Sequence, residues 1–174
     1  MFEGWDNYFI LMGTAAGSLV GLLFVVITLT TGHDRERVTR GQALYMTPTA
    51  VNFGSVLTVS AVVLVPKLPA AGVAGLSALV ALWGEFHALR SALGILALRR
   101  ADDPPHWTDA WCYGVGPAFA YFGLLGVAVA LWTAASWSVY ALAALLLVLM
   151  LTALRNAWDL VTWIAPMREG PPAG

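Results

Sequence analysis

Residues 81–94 read "ALWGEFHALRSALG". Glu85, His87 and Arg90 interrupt a run that is otherwise apolar from Ala70 to Ala97. If that run is a single helix, the chain crosses a bilayer five times. If the charges hold residues 85–100 at the surface, it crosses four times. The connections on either side decide for five. Residues 66–69 and 135–137 are too short to do anything but reverse the direction of a helix.

A crossing needs roughly 20 mostly apolar residues. Runs near 8–31, 48–65, 70–97, 115–134 and 138–164 fit that requirement. None of them alternates polar and apolar residues as barrel strands do, so the spans are helices. The expected fold is all-α: a polytopic transmembrane bundle of one domain, made of a Gly-rich opening helix and two helical hairpins.

Composition leads the same way. The chain has 174 residues, of which 59% are hydrophobic and 11% charged. Its mean hydropathy is +0.75. Soluble domains carry about 25% charged residues, so this chain lacks the material for a water-facing surface. A net charge of −1 excludes a nucleic-acid partner, which needs a basic face. The lone cysteine, Cys112, excludes an internal disulfide. Residues 1–7 contain no Lys or Arg, so no signal-peptide n-region is expected.

Basic residues favour the cytoplasmic side. With the N-terminus outside, Arg35, Arg37, Arg40, Arg90, Arg99, Arg100, Arg155 and Arg168 fall inside or at the inner interface. Only Lys67 of the nine basic residues falls outside. The expected topology is N-out, C-in, in a bacterial inner membrane.

Depth then explains part of the opening stretch. At 1.5 Å per residue, the third span returns to its starting surface near Arg90, whose side chain can snorkel to water. Glu85 remains inside the apolar slab. It lies five residues, or about 140° around the helix, from Arg90. Glu85 therefore needs a partner on another helix, with Asn52 and Arg155 at similar depth, or must carry a proton. His87 points away from Glu85, because two residues turn a helix by about 200°. Arg155 and Asp159, at i and i+4, share a face and can pair. Glu85, His87, Arg90, Asn52, Arg155 and Asp159 thus form a candidate intramembrane polar cluster. It would either fix helix register or line a polar cavity that handles ions or protons.

The hairpins carry matching marks. Residues 48–54 read "PTAVNFG" and 117–123 read "PAFAYFG"; residues 88–92 read "ALRSA" and 153–157 read "ALRNA". Each hairpin opens on Pro-x4-Phe-Gly and closes on Ala-Leu-Arg-x-Ala, which would make them parallel repeats. Chance matching in an Ala/Leu-rich chain would give the same letters.

In the opening helix, Gly13, Gly17 and Gly21 recur every four residues, a stripe that lets a neighbouring backbone come close. Beside it, Thr14, Ser18, Gly21, Val25, Thr28 and Gly32 form a heptad-like seam. The seam can pack within the bundle, or line a narrow axis between copies of the chain. Glu3 and Asp6 at its mouth would favour cations.

The stretch "GTAAGSLVGLLFVVITLT" resembles the first helix of small, uncharacterised bacterial multi-pass integral membrane proteins. The resemblance covers about 20 residues and implies no function. The loop "ADDPPHWTD" holds Asp102, Asp103 and His106, which reads as a solvated acidic loop. Neither a phosphate-binding loop, a dinucleotide glycine motif, a Ser–His–Asp set nor a diagnostic metal-ligand spacing is present. No enzyme activity, metal or cofactor is therefore expected. The expected function is an oligomeric ion channel or pore with the first helix nearest the axis. The alternatives are a non-conducting subunit of a larger complex, or a proton-coupled carrier using Glu85 and His87. The expected partners are the lipid bilayer, further copies of the chain, and ions.

Overall fold

The computed structural model describes residues 1–30, 42–98 and 106–164. Arg35, Arg37, Arg40, Arg99, Arg100 and Arg168 lie outside the described residues, as do Gly32, Asp102 and Asp103. The described chain is all helix and turn: α1 (Asp6–Thr30), α2 (Thr47–Val63), α3 (Ala70–Leu98), α4 (Gly116–Trp132) and α5 (Ser138–Ile164). All five are long and apolar enough to cross a membrane. The stretch from Ala70 to Leu98 is one unbroken helix, which Glu85, His87 and Arg90 do not interrupt.

Short lead-in turns precede α2 and α4. A π-helical turn, Gln42–Met46, leads into α2. A single helical turn, Trp107–Ala110, and a second π-helical turn, Trp111–Val115, lead into α4. The fourth span thus begins eight residues before the expected 115, at 107. Trp107, Trp111 and Tyr113 suit the membrane interface, and His106 caps the helix by accepting from the Thr108 N–H at 3.4 Å. His106 is therefore a helix cap in this structure.

Two turns reverse the chain. In Val65–Leu68, Pro66 sets the second position and Lys67 takes φ +60°, a type II turn. At the end of α4, Ala134 takes φ +54°. There the Ala134 N–H bonds Leu131 O at 3.1 Å and the Ala135 N–H bonds Ala130 O at 2.9 Å, which is a Schellman cap.

The helices α2 to α5 form a ring in which each packs on the next and α5 closes on α2; α3 on α4 is the most extensive interface. Helices α2 and α4 stand diagonally opposite, as do α3 and α5. Outside the ring, α1 packs mainly on α2 and also on α5, with no extended interface to α3 or α4. Its inward stripe is Phe9, Met12, Ala16 and Leu23, spaced by three, four and seven residues as one helix face requires. The ring interior is filled by Phe53, Tyr121, Leu124, Leu142, Leu146 and Leu149, all fully buried. The outside is apolar as well: Trp83, Phe86, Phe119, Phe122, Val129 and Trp158 are exposed. Lipid, unlike water, is a good solvent for such a surface.

The start of α1 lies against the start of α5. Trp5 stacks edge-on with Tyr140 at 5.0 Å, and the Tyr8 hydroxyl donates to Ala143 O at 2.7 Å. The opposite end gathers both π-helical turns, where Tyr45 meets Tyr113 edge-on at 4.9 Å.

Candidate functional site

Prolines shape the first polar site. Pro48 has no N–H to offer the Leu44 carbonyl four residues back. That carbonyl accepts instead from the Ser91 hydroxyl on α3, at 2.7 Å. In the second hairpin, Gly116 N–H bonds Trp111 O, and the next N–H along would belong to Pro117. The Cys112 carbonyl is thereby freed, and it accepts from Asn156 Nδ2 on α5 at 2.9 Å. Inside a bilayer an unpaired carbonyl costs several kcal/mol, so a polar side chain has to answer each proline. Ser91 and Asn156 occupy the same place in the two Ala-Leu-Arg-x-Ala marks.

Around Asn156 a surface cluster forms. The Tyr113 hydroxyl donates to Asp159 Oδ2 at 3.0 Å, with Asn156 O at 3.2 Å. Arg155 Nη1 donates to Asn156 Oδ1 at 3.2 Å and approaches Asp159 Oδ2 to 4.0 Å. Both members of this i, i+4 pair are about half exposed. Tyr113 and Asn156 are fully buried beneath them.

The second polar site is the ring centre. Tyr121 of α4 crosses to α2, its hydroxyl 2.9 Å from both Asn52 Oδ1 and Ser55 Oγ. The hydroxyl has one proton, which goes to Asn52, and it accepts from Ser55. Gly84 makes this crossing possible, because a Cβ there would overlap the Tyr121 ring. Two turns further, a Cβ on Gly114 would meet Ala92 Cα at 2.6 Å, so the α4 lead-in runs backbone-close to α3.

The expected cluster of six residues does not assemble as one unit. Asn52 bonds Tyr121, not Glu85, and Arg155 pairs with Asp159. Helices α3 and α5 stand on a diagonal, which keeps Glu85, His87 and Arg90 apart from Arg155 and Asp159. Among the described residues, Glu85 Oε2, His87 Nε2 and Asn52 Nδ2 are buried atoms with no hydrogen-bond partner. Glu85 lies on the same stripe of α3 as Ala92, seven residues on, and so faces α4. His87 stands on the other flank, edge-on to Trp83 at 4.6 Å. Arg90 is exposed.

On α1 the expected seam divides in two. Gly13 and Gly17 face α2: a Cβ on Gly13 would meet Ser60 Cβ at 3.3 Å, and one on Gly17 would meet Leu57 Cδ1 at 3.9 Å. Thr14, Ser18, Gly21 and Thr28 are exposed, and a Cβ on Gly21 would meet nothing within 4 Å. Ser18 and Thr28 return their hydroxyl protons to Thr14 O and Val25 O of their own helix.

Tyr121, Ser55, Tyr113, Asn156 and Ser91 were not among the expected site residues. A signal for two of them exists in the sequence: Asn52 and Tyr121 both stand four residues after the proline of their mark. Among the described residues, no three His, Cys, Asp or Glu side chains converge as a metal site would require. The chain matches no family model, no curated protein and no solved structure.

Proposed function

We propose that the protein is a multi-pass protein of the bacterial inner membrane, N-out and C-in, that assembles with copies of itself and passes ions along a path lined by α1. The exposed seam of α1 is the observation that carries this reading. The bundle uses Gly13 and Gly17 for its own packing and leaves Thr14, Ser18, Gly21 and Thr28 uncovered. The ring interior is filled by large side chains, so a path is easier to build between copies than through one. Small hydroxyl-bearing residues leave room at an axis and offer oxygens to a passing cation. The eight-to-one distribution of basic residues supports the orientation. The shared proline-and-polar device in both hairpins supports a duplicated, parallel pair of repeats.

The test combines native mass in nanodiscs with ion flux in liposomes. A symmetric oligomer is expected, with cation flux that Ser18→Trp suppresses. A lone monomer, or flux indifferent to Ser18→Trp, overturns the reading. An oligomer without flux favours a non-conducting subunit of a larger complex.

A second reading rests on a separate observation. Among the described residues Glu85 Oε2 and His87 Nε2 are buried without hydrogen-bond partners, and ionisable groups inside a membrane mark transport paths. A proton-coupled carrier would use Glu85, and Glu85→Gln would then abolish proton uptake while leaving thermal stability intact. A fall in stability with unchanged uptake assigns Glu85 a structural role.

A further inference from the structure

The flank of α3 that carries His87 borders a groove. Val51, Gly54 and Thr58 of α2 and Leu79, Val80 and Trp83 of α3 border an open groove of about 370 Å³ on the outer side of the bundle. The lining is apolar except for hydroxyls. The α3 wall does not stop at Trp83. Leu79, Trp83, His87 and Arg90 follow one another at helical spacing and lie within about 80° of each other around the axis. The stripe rises about 16 Å from Leu79 to Arg90, close to one leaflet of a ~30 Å hydrocarbon core. Its polar members come last: His87, whose Nε2 is buried without a partner, and then Arg90, exposed and unpaired among the described residues.

This order of chemistry, apolar slot, imidazole, guanidinium, matches one molecule end to end. We propose that the α2–α3 groove and the stripe from Leu79 to Arg90 bind a single anionic phospholipid of the adjacent leaflet. The acyl chain lies in the groove against Trp83 and over Gly54. The phosphate sits at Arg90, at the exposed polar end of the stripe. Charge complementarity selects the headgroup: among the described residues no carboxylate lies within salt-bridge reach of the Arg90 guanidinium, unlike Arg155 beside Asp159. The inference needs only that the helices span a membrane. It is independent of α1, which has no extended interface with α3.

The test is native mass spectrometry of the whole protein released from an equimolar mixture of phosphatidylglycerol and phosphatidylethanolamine. Wild-type protein is expected to retain one phosphatidylglycerol in preference. Arg90→Gln should lose about fivefold of that preference, the worth of one arginine at an anionic surface. Gly54→Leu should lose the retained lipid altogether. A Cβ at Gly54 meets no atom within 4 Å, so the larger side chain enters the groove rather than the fold. Unfolding temperatures measured alongside should match wild type for both variants. Arg90→Gln, at an exposed and unpaired residue, carries the test by itself if Gly54→Leu unfolds. Equal retention of the two lipids by wild type, or an unchanged preference in Arg90→Gln, overturns the proposal. Inorganic phosphate alone should leave the retained lipid in place; its displacement by millimolar phosphate would assign a phosphate site and no lipid site.

Discussion

Tyr121 depends on an atom that is missing from its neighbour. Its ring passes α3 only because Gly84 has no Cβ, and its hydroxyl then reaches Asn52 and Ser55. Gly84→Ala should displace the ring and break both bonds, at a cost of about 1–3 kcal/mol from overpacking. Tyr121→Phe keeps the ring and removes only the hydroxyl. Interhelical hydrogen bonds in membranes average about 0.6 kcal/mol, so this change should cost roughly 1 kcal/mol and less than Gly84→Ala. Thermal unfolding in one detergent ranks the two, and the reverse order would refute the Gly84 contact. Ala134 shows the opposite case, a side chain where none is favoured. Its φ of +54° is a glycine conformation at the C′ position of a Schellman cap. Ala134→Gly should stabilise the protein by up to about 1 kcal/mol, seen as a raised unfolding temperature.

At the scale of elements, the two hairpins share one device, a proline that frees a carbonyl and a polar side chain that answers it. Asn156 is the more heavily used of the pair, bonding both Cys112 O and Arg155. Asn156→Leu should cost about 1–3 kcal/mol, because it leaves a buried carbonyl unpaired. Ser91→Ala should act in the same direction on the first hairpin. A chemical denaturation series in mixed micelles compares them. The α1 helix divides between its two sides. Gly13→Leu should destabilise the single chain, since a Cβ there already meets Ser60 at 3.3 Å. A Cβ on Gly21 meets no described atom within 4 Å, so Gly21→Leu should leave the unfolding temperature alone and reduce the oligomer in native mass spectra. Equal effects of the two on unfolding would remove the distinction between an inner and an outer side of α1.

Across the whole molecule, the threading predicts which ends meet water on which side. The α2–α3 turn and the N-terminus belong to one face, and His106 to the other. In a Cys112→Ser background, Lys67→Cys should react with a membrane-impermeant maleimide on intact cells. His106→Cys should react only after permeabilisation. The inverse pattern would reverse the orientation and move the α1 mouth, with Glu3 and Asp6, to the cytoplasm.

Much of the architecture was legible before any fold was known. Uninterrupted apolar runs specify helices in lipid, since no other open structure there satisfies its own backbone. Short connections specify hairpins. The prolines and Ala-Leu-Arg marks fell on positions that the structure later gave a shared hydrogen-bonding role. The start of the fourth span is hidden by the loop reading of "ADDPPHWTD", whose last three residues, from Trp107 onward, already belong to a helical turn.

The sequence alone therefore determined that the chain forms apolar helices, roughly where each begins and ends, and which residue types interrupt them. Those properties depend on local hydropathy and on backbone bonds closed within four or five residues. Which polar atoms meet was decided only by the tertiary structure. Asn52 finds Tyr121 rather than Glu85, and Arg155 stays apart from Glu85, because the ring sets α2 against α4 and α3 against α5 on its diagonals. Partnership inside a membrane depends on rotation about each helix axis and on which helices are neighbours. A one-dimensional pattern of apolar residues, apolar on every side, carries almost no information about either.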